Sequence, residues 1–164
     1  MIRAAVLTIS DSSFQGVRED LSGPAVAARL KDRGFQVTST ATLPDVAAVI
    51  SARLTGLADD GACDVIFTTG GTGVARRDVT PEATRSVIEK EIPGLGELMR
   101  LEGLKKTPLA PLSRSVAGTR GSTLIVNLPG SPKGAVESLD AILELVPHIV
   151  ALLRGETGHL HTAS

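Results

Sequence analysis

Three short polar stretches in this chain each follow an apolar run and are rich in residues that hold phosphate or a divalent cation. Gly70-Gly71-Thr72-Gly73 follows Val65 to Thr69, Ser10-Asp11-Ser12-Ser13 follows Ala4 to Ile9, and Pro129-Gly130-Ser131-Pro132 follows Thr123 to Leu128. Glycine admits backbone angles closed to other residues and lets an anion approach the main chain, and consecutive N–H groups can form an anion-binding nest. The same four residues also suit a plain tight turn between a strand and a helix, so both readings stand. Two standard phosphate motifs are absent: there is no G-x-G-x-x-G, and no Gly-Lys-Ser/Thr follows the glycines.

Asp78 lies just beyond the glycines, in Arg76-Arg77-Asp78-Val79-Thr80-Pro81-Glu82. A carboxylate beside a phosphate site can take part in binding Mg²⁺, which prefers oxygen ligands and bridges to substrate phosphates. The alternative is an Asx-turn that shapes the entry to the next helix. Thr80, followed by Pro81, is the better N-cap, which leaves Asp78 free for function. Asp45, after Pro44 and before an apolar-periodic segment, reads locally as a helix N-cap. Arg76 and Arg77 could neutralise phosphates or form a solvated face. Ser113-Arg114-Ser115 sits in an irregular stretch from which a polar loop can reach a ligand, and Lys133 could contact phosphate as a point charge. His148 falls within a helical stripe, His159 and His161 lie near the end, and no Ser/His/Asp triad is suggested.

The elements that position these loops alternate. Apolar runs at Ala4–Ile9, Phe35–Thr40, Val65–Thr69 and Thr123–Leu128 read as strands. Between them, helices are expected from Ser22-Gly23-Pro24 to Gly34, from Pro44-Asp45 with Val46, Val49, Ile50 and Leu54 facing the core, and from Thr80 to near Ile92-Pro93. The last helix starts at Ser131-Pro132, carries a stripe of Val136, Leu139, Ile142, Leu143 and Val146, and is interrupted by Pro147. Pro93 to Gly121 is the least regular stretch, with a short helix around Leu95 to Leu104. Strands separated by helices imply βαβ units and a mostly parallel sheet with helices on both faces. In such sheets ligands bind beyond the carboxyl ends of the strands, so the three polar loops fall on one edge and can line one cleft.

The composition bounds the function. A chain of 164 residues with 42% apolar and 21% charged residues can bury a core as one domain, expected over 1–155, with a frayed tail at 156–164. A net charge of −1 provides no global attraction to nucleic acid or an anionic membrane, so any anion site is local. Three Phe with no Tyr or Trp argue against base stacking. The lone Cys63 excludes a disulfide within the chain and a cysteine-clustered metal site. No stretch reads as a signal peptide or membrane span, and the expected location is cytoplasmic.

Taken in order, the strings Thr8-Ile9-Ser10-Asp11-Ser12, Glu19-Asp20-Leu21-Ser22-Gly23-Pro24, Thr68 to Gly73, Arg77 to Ala83, Leu112-Ser113-Arg114 and Asn127 to Lys133 resemble the molybdopterin-binding family of molybdenum-cofactor biosynthesis. That family includes bacterial molybdopterin adenylyltransferases and the matching domains of gephyrin and the plant cofactor protein. The resemblance spans nearly the whole chain. It implies a three-layer α/β/α sandwich, usually a homotrimer, that transfers AMP from ATP to molybdopterin with Mg²⁺ and releases pyrophosphate. It implies catalytic, metal-directed roles for Asp45 and Asp78, reversing the local reading of Asp45. It also implies substrate and nucleotide contacts from Ser10, Asp11, Gly70, Gly71, Thr72, Gly73, Ser113, Arg114, Pro129, Gly130, Ser131 and Lys133, and contact with the molybdate-insertion protein. The family often has a second acid directly after the first; here that position is Val46. A paralogue that binds molybdopterin or its precursor without strong catalysis is the alternative function.

Overall fold

Alternation along the first strand, β1 (Arg3–Ile9), sets the layering. Ala4 and Val6 face one apolar layer, while Ala5, Leu7 and Ile9 face the other. The computed structural model describes residues 1–156. His159, His161 and the expected tail beyond Glu156 lie outside the described residues.

Six strands form one sheet in the order β2-β1-β3-β6-β5-β4, where β2 is Gln36–Leu43, β3 Val65–Thr69, β4 Lys90–Glu91, β5 Ala117–Arg120 and β6 Thr123–Leu128. β2, β1, β3 and β6 are parallel, and β5 and β4 add antiparallel at one edge. On one face lie α2 (Ser22–Asp32), α5 (Pro93–Leu104), α6 (Pro132–Ile142) and α7 (Val146–Leu153), which bring Val26, Leu30, Met99, Leu139 and Val150 against Val6, Phe67 and Val126. On the other face, α3 (Ala47–Asp59) and α4 (Thr80–Val87) bring Ile50, Leu54, Ala83 and Val87 against Leu7, Ile66 and Ile125. The expected α/β/α sandwich is therefore the observed one. Each fully buried Leu, Ile or Phe contributes about 1.5–3 kcal/mol, and β3 and β6 are buried at every position, as central parallel strands require.

Several local expectations change. β2 runs to Leu43 rather than Thr40 because its pairing with β1 continues to Ile9 opposite Leu43, past a register shift at Thr38. α4 stops at Val87 rather than near Ile92. Ile88 turns extended there, and Lys90 and Glu91 pair with β5. The last helix breaks at Ile142, into a 3₁₀ turn at Leu143–Leu145, and Pro147 sits in the first turn of α7 instead of causing the break. Val46 and Val49 do not face the core; they are 46% and 40% exposed, while Ile50 and Leu54 are fully buried. The capping residue of α3 is Val46, not Asp45, and that of α4 is Val79, not Thr80.

Candidate active site

The sheet changes winding direction between β1 and β3, the place where parallel sheets open a crevice. Above it lies a cleft of about 400 Å³ lined by Ser10, Asp11, Asp45, Gly70, Gly71, Asp78, Gly130 and Ser131, together with Thr8, Arg18, Asp20 and Arg77. The ends of β1, β3 and β6 are drawn together around Gly70. Its N–H donates to Leu128 O at 3.1 Å, and its φ is +100°. A β-carbon there would overlap the carbonyl oxygen of Ile9. Thr69 Oγ1 donates to Pro129 O at 2.6 Å, tying the loop after β3 to the loop after β6.

Asp45 reaches this cleft because it does not cap its helix. Its carboxylate Oδ2 accepts from the Asp11 N–H at 3.0 Å, and its own N–H donates to Asp11 Oδ1 at 2.8 Å. The four-residue helix α1 (Asp11–Phe14) begins there, with the Ser10 hydroxyl accepting from Ser13 N–H as its cap. Asp78 stands across the glycine loop, its carboxylate accepting from Ala75 N–H at 3.0 Å. The Asp78 carboxylate thus lines the cleft and reaches back three residues, not forward into the Asx-turn considered from sequence; the Thr80 N–H that such a turn would use donates to Gly71 O. Both acids bracket the glycines: a β-carbon on Gly71 would come within 3.2 Å of Asp45 Oδ1, and one on Gly73 within 2.8 Å of Asp78 Oδ2. Thr80 fixes the loop from below. Its hydroxyl donates to Gly70 O at 3.0 Å, and its N–H donates to Gly71 O.

The cleft is lined by five acidic residues, Asp11, Glu19, Asp20, Asp45 and Asp78, and two arginines, Arg18 and Arg77. Burial pushes the Asp45 carboxyl above its ordinary value, and the nearby Asp11 and Asp78 charges add to this. The hydrogen bond from the Asp11 backbone and the Arg77 charge work the other way. Among the described residues no group of three or more His, Cys, Asp or Glu could hold a metal ion unaided. Asp45 and Asp78 flank the glycine loop, and carboxylate oxygens are the ligand type that a hard divalent cation takes.

Not every residue singled out from sequence lines this cleft. Thr72 is buried, and its carbonyl accepts from Arg114 N–H. The Arg114 guanidinium donates to Gly73 O at 2.8 Å and Asp78 O at 2.9 Å and pairs with Glu82, so it is engaged with protein. Ser113 and Pro129 line an adjoining cleft of about 260 Å³ between α5 and α6, which meets the first at Ser131. The Lys133 side chain is 86% exposed, 4.0 Å from Glu137.

Other residues of the cleft were not singled out individually. Asp20 accepts from Thr8 Oγ1 at 2.7 Å and from Gly23 N–H at 3.0 Å, so it ties the start of α2 to the end of β1. Its place three residues before Gly23, at an expected helix start, was the available signal. Arg18 had none.

Comparison with known proteins agrees with this geometry. The family described as "Probable molybdopterin binding domain" matches residues 5–148. A protein named molybdopterin adenylyltransferase in Helicobacter pylori strain J99 is 44% identical over 156 residues, covering 94% of this chain and 89% of that one. Its namesake in Escherichia coli K12 is 39% identical over 169 residues, covering 94% and 86%. A crystal structure of the molybdopterin biosynthesis enzyme MoaB from Thermus thermophilus is similar with a TM-score of 0.89 and 52% identity, covering 94% of this chain and 98% of that one. The loops that build the cleft all fall within the matched span, and this chain belongs to the molybdopterin-binding domain family of molybdenum-cofactor biosynthesis.

Proposed function

We propose that this chain is a molybdopterin adenylyltransferase, moving AMP from ATP to molybdopterin and releasing pyrophosphate, the activity for which its relatives are named. The observation that carries the reading is the placement of Asp45 and Asp78 on either side of the glycine loop in one cleft. A protein that only held a pterin would have no need of two converging carboxylates.

The terminal phosphate of molybdopterin attacks the α-phosphorus of ATP. A new P–O bond forms, the bond from the α-phosphorus to the α,β-bridging oxygen breaks, and pyrophosphate leaves. A phosphate monoester is already largely ionised near neutral pH, so no residue is needed as a strong base. The glycine loop and the Ser10-Asp11 turn hold phosphate oxygens, while Asp45 and Asp78 position the reacting groups and are the residues that would hold Mg²⁺. When bound, Mg²⁺ offsets charge building on the leaving group. Arg77 and Arg18, at the cleft wall, are the cations available to the pyrophosphate. Two substrates need two seats. ATP, the larger, takes the larger cleft, and the pterin takes the adjoining one, so that their phosphates meet beside Ser131. Homotrimeric assembly in the cytoplasm and hand-over to the molybdate-insertion protein complete the proposal.

Asp78→Asn tests the reading. It is expected to bind molybdopterin within about threefold of the unaltered chain and to lose at least ~100-fold in adenylylation, since several kcal/mol of charge stabilisation converts at about 1.4 kcal/mol per tenfold. Equal loss of binding and turnover would make Asp78 a structural residue.

A further inference from the structure

The turn that carries Asp78 is exposed at Val74, Ala75, Arg76 and Arg77, yet its two ends are held by one side chain. Arg114 donates from Nε to Gly73 O at 2.8 Å and from Nη2 to Asp78 O at 2.9 Å, while Nη1 pairs with Glu82 on α4. Its backbone N–H adds a bond to Thr72 O at 2.9 Å. Within the turn, Asp78 N–H donates to Ala75 O and Ala75 N–H donates to the Asp78 carboxylate, each at 3.0 Å. The direction of that carboxylate therefore depends on the distance between Gly73 and Asp78, which Arg114 spans.

The residues on either side of Arg114 serve the other cleft. The Ser113 and Ser115 hydroxyls are 3.0 Å apart, and both residues line the adjoining cleft. Arg100 Nη1 donates to their two carbonyls at 3.3 and 3.2 Å from that side. One extended segment thus forms part of the wall of the second cleft and, through Arg114, the brace of the Asp78 turn.

We propose that Arg114 is a positioning residue: it fixes the Asp78 carboxylate for phosphoryl transfer and joins the wall of the second cleft to that carboxylate as one rigid unit. This rests on the adenylyltransferase reading. A planar guanidinium can grip two carbonyls and a carboxylate at once, whereas a lysine ammonium is a single point charge on a flexible stem. Arg114→Lys therefore keeps the charge and removes the brace.

The test has two parts. The first needs no substrate: amide hydrogen exchange at Ala75 and Asp78 is expected to speed up at least tenfold in Arg114→Lys, while exchange in β3 and β6 stays unchanged. The second is kinetic. kcat falls at least tenfold, KM for ATP and for molybdopterin stays within threefold, and in an Asp78→Asn background the same substitution costs less than twofold more, because the two residues act through one carboxylate. Glu82→Gln, which removes the anchor on α4, moves the same readouts in the same direction and serves if the lysine variant does not fold. Unchanged exchange at Ala75 and Asp78 would overturn the proposal. So would a raised KM at intact kcat, which would place Arg114 against substrate. An unaltered chain that makes no adenylylated product would instead remove the activity reading, and the exchange result would still decide whether Arg114 braces the turn.

Discussion

Asp11 and Asp45 hold each other in place: the backbone N–H of each donates to the carboxylate of the other, at 3.0 and 2.8 Å. The pairing joins the end of β1 to the entry of α3 and leaves the second oxygen of Asp45 against the glycine loop. It also places two acids beside each other, with Asp78 near, in a half-buried setting.

That setting makes Asp45 a liability to the fold. Its carboxyl is raised above the ordinary value of 3.8, chiefly by burial and further by Asp11 and Asp78. A carboxyl with a raised folded-state value binds its proton more readily in the native chain. Its ionisation therefore costs stability as pH climbs from 3.8 through the folded-state value, and the cost is constant above that. Asp45→Asn is expected to melt no lower than the unaltered chain at pH 7, and to lose at least ~100-fold in turnover. Thermal melts of the two proteins from pH 4 to pH 8, beside turnover assays, decide it. A variant that melts clearly lower at pH 7 would mean that the hydrogen bond from Asp11 outweighs burial.

The glycine loop yields a graded prediction. Gly34, with φ +85°, has nothing near the position of a β-carbon, so Gly34→Ala costs only backbone strain of about 1 kcal/mol. Gly70→Ala and Gly71→Ala carry the same kind of strain at φ +100° and +69° and also overlap Ile9 O and Thr80 Oγ1 respectively. Urea unfolding is expected to show each losing at least about 2–3 kcal/mol. Equal losses at all three positions would show that close packing around the loop contributes nothing.

At the opposite ends of the strands, Asp64 joins β1 to the turn after α7. It accepts from Arg3 N–H at 2.8 Å and lies 3.0 Å from Arg154 Nη2. Burial works to raise its carboxyl, but hydrogen bonds from Arg3 and Arg154 outweigh it and bring the value down to about 2. A depressed carboxyl stabilises the fold above 3.8, and that stabilisation is lost as pH falls through about 2. Both arginines are 41% exposed, so solvent screening reduces the contribution to about 1–2 kcal/mol. Asp64→Asn should lose that much at pH 7 with kcat unchanged, and the difference should close near pH 2. A constant difference across that range would rule out ionisation as its source.

The parts of this fold legible in the sequence are those where one signal dominates. β1, β3 and β6 are continuous apolar runs ending at polar loops, because central parallel strands are covered on both faces. β4 and β5 were not legible. Lys90-Glu91 is an exposed pair, and Ala117-Gly118-Thr119-Arg120 has no apolar run. Gly118 is small where Ile88 and the Lys90 carbonyl press against it, a tertiary reason with no local trace. The cleft was legible as three loops on one edge, and the convergence of Ser10, Asp11, Asp45, Gly70, Gly71, Asp78, Gly130 and Ser131 matches that reading. Asp45 misled locally because a capping residue and a residue hydrogen-bonded to a distant loop look alike before a helix. Thr80 did the same, since its hydroxyl bonds Gly70 O instead of its own helix. Arg114 was expected to meet a ligand, but its guanidinium is engaged by Gly73, Asp78 and Glu82. The destination of a long cationic side chain is set by folding partners far away in sequence.

The most direct test of the central claim is to mix the purified chain with MgATP and molybdopterin and quantify pyrophosphate and adenylylated molybdopterin together. The account predicts that the two appear in equal amounts over many turnovers, and that both fall at least ~100-fold with Asp45→Asn. Molybdopterin binding without pyrophosphate release would contradict it and leave the chain a pterin-binding protein.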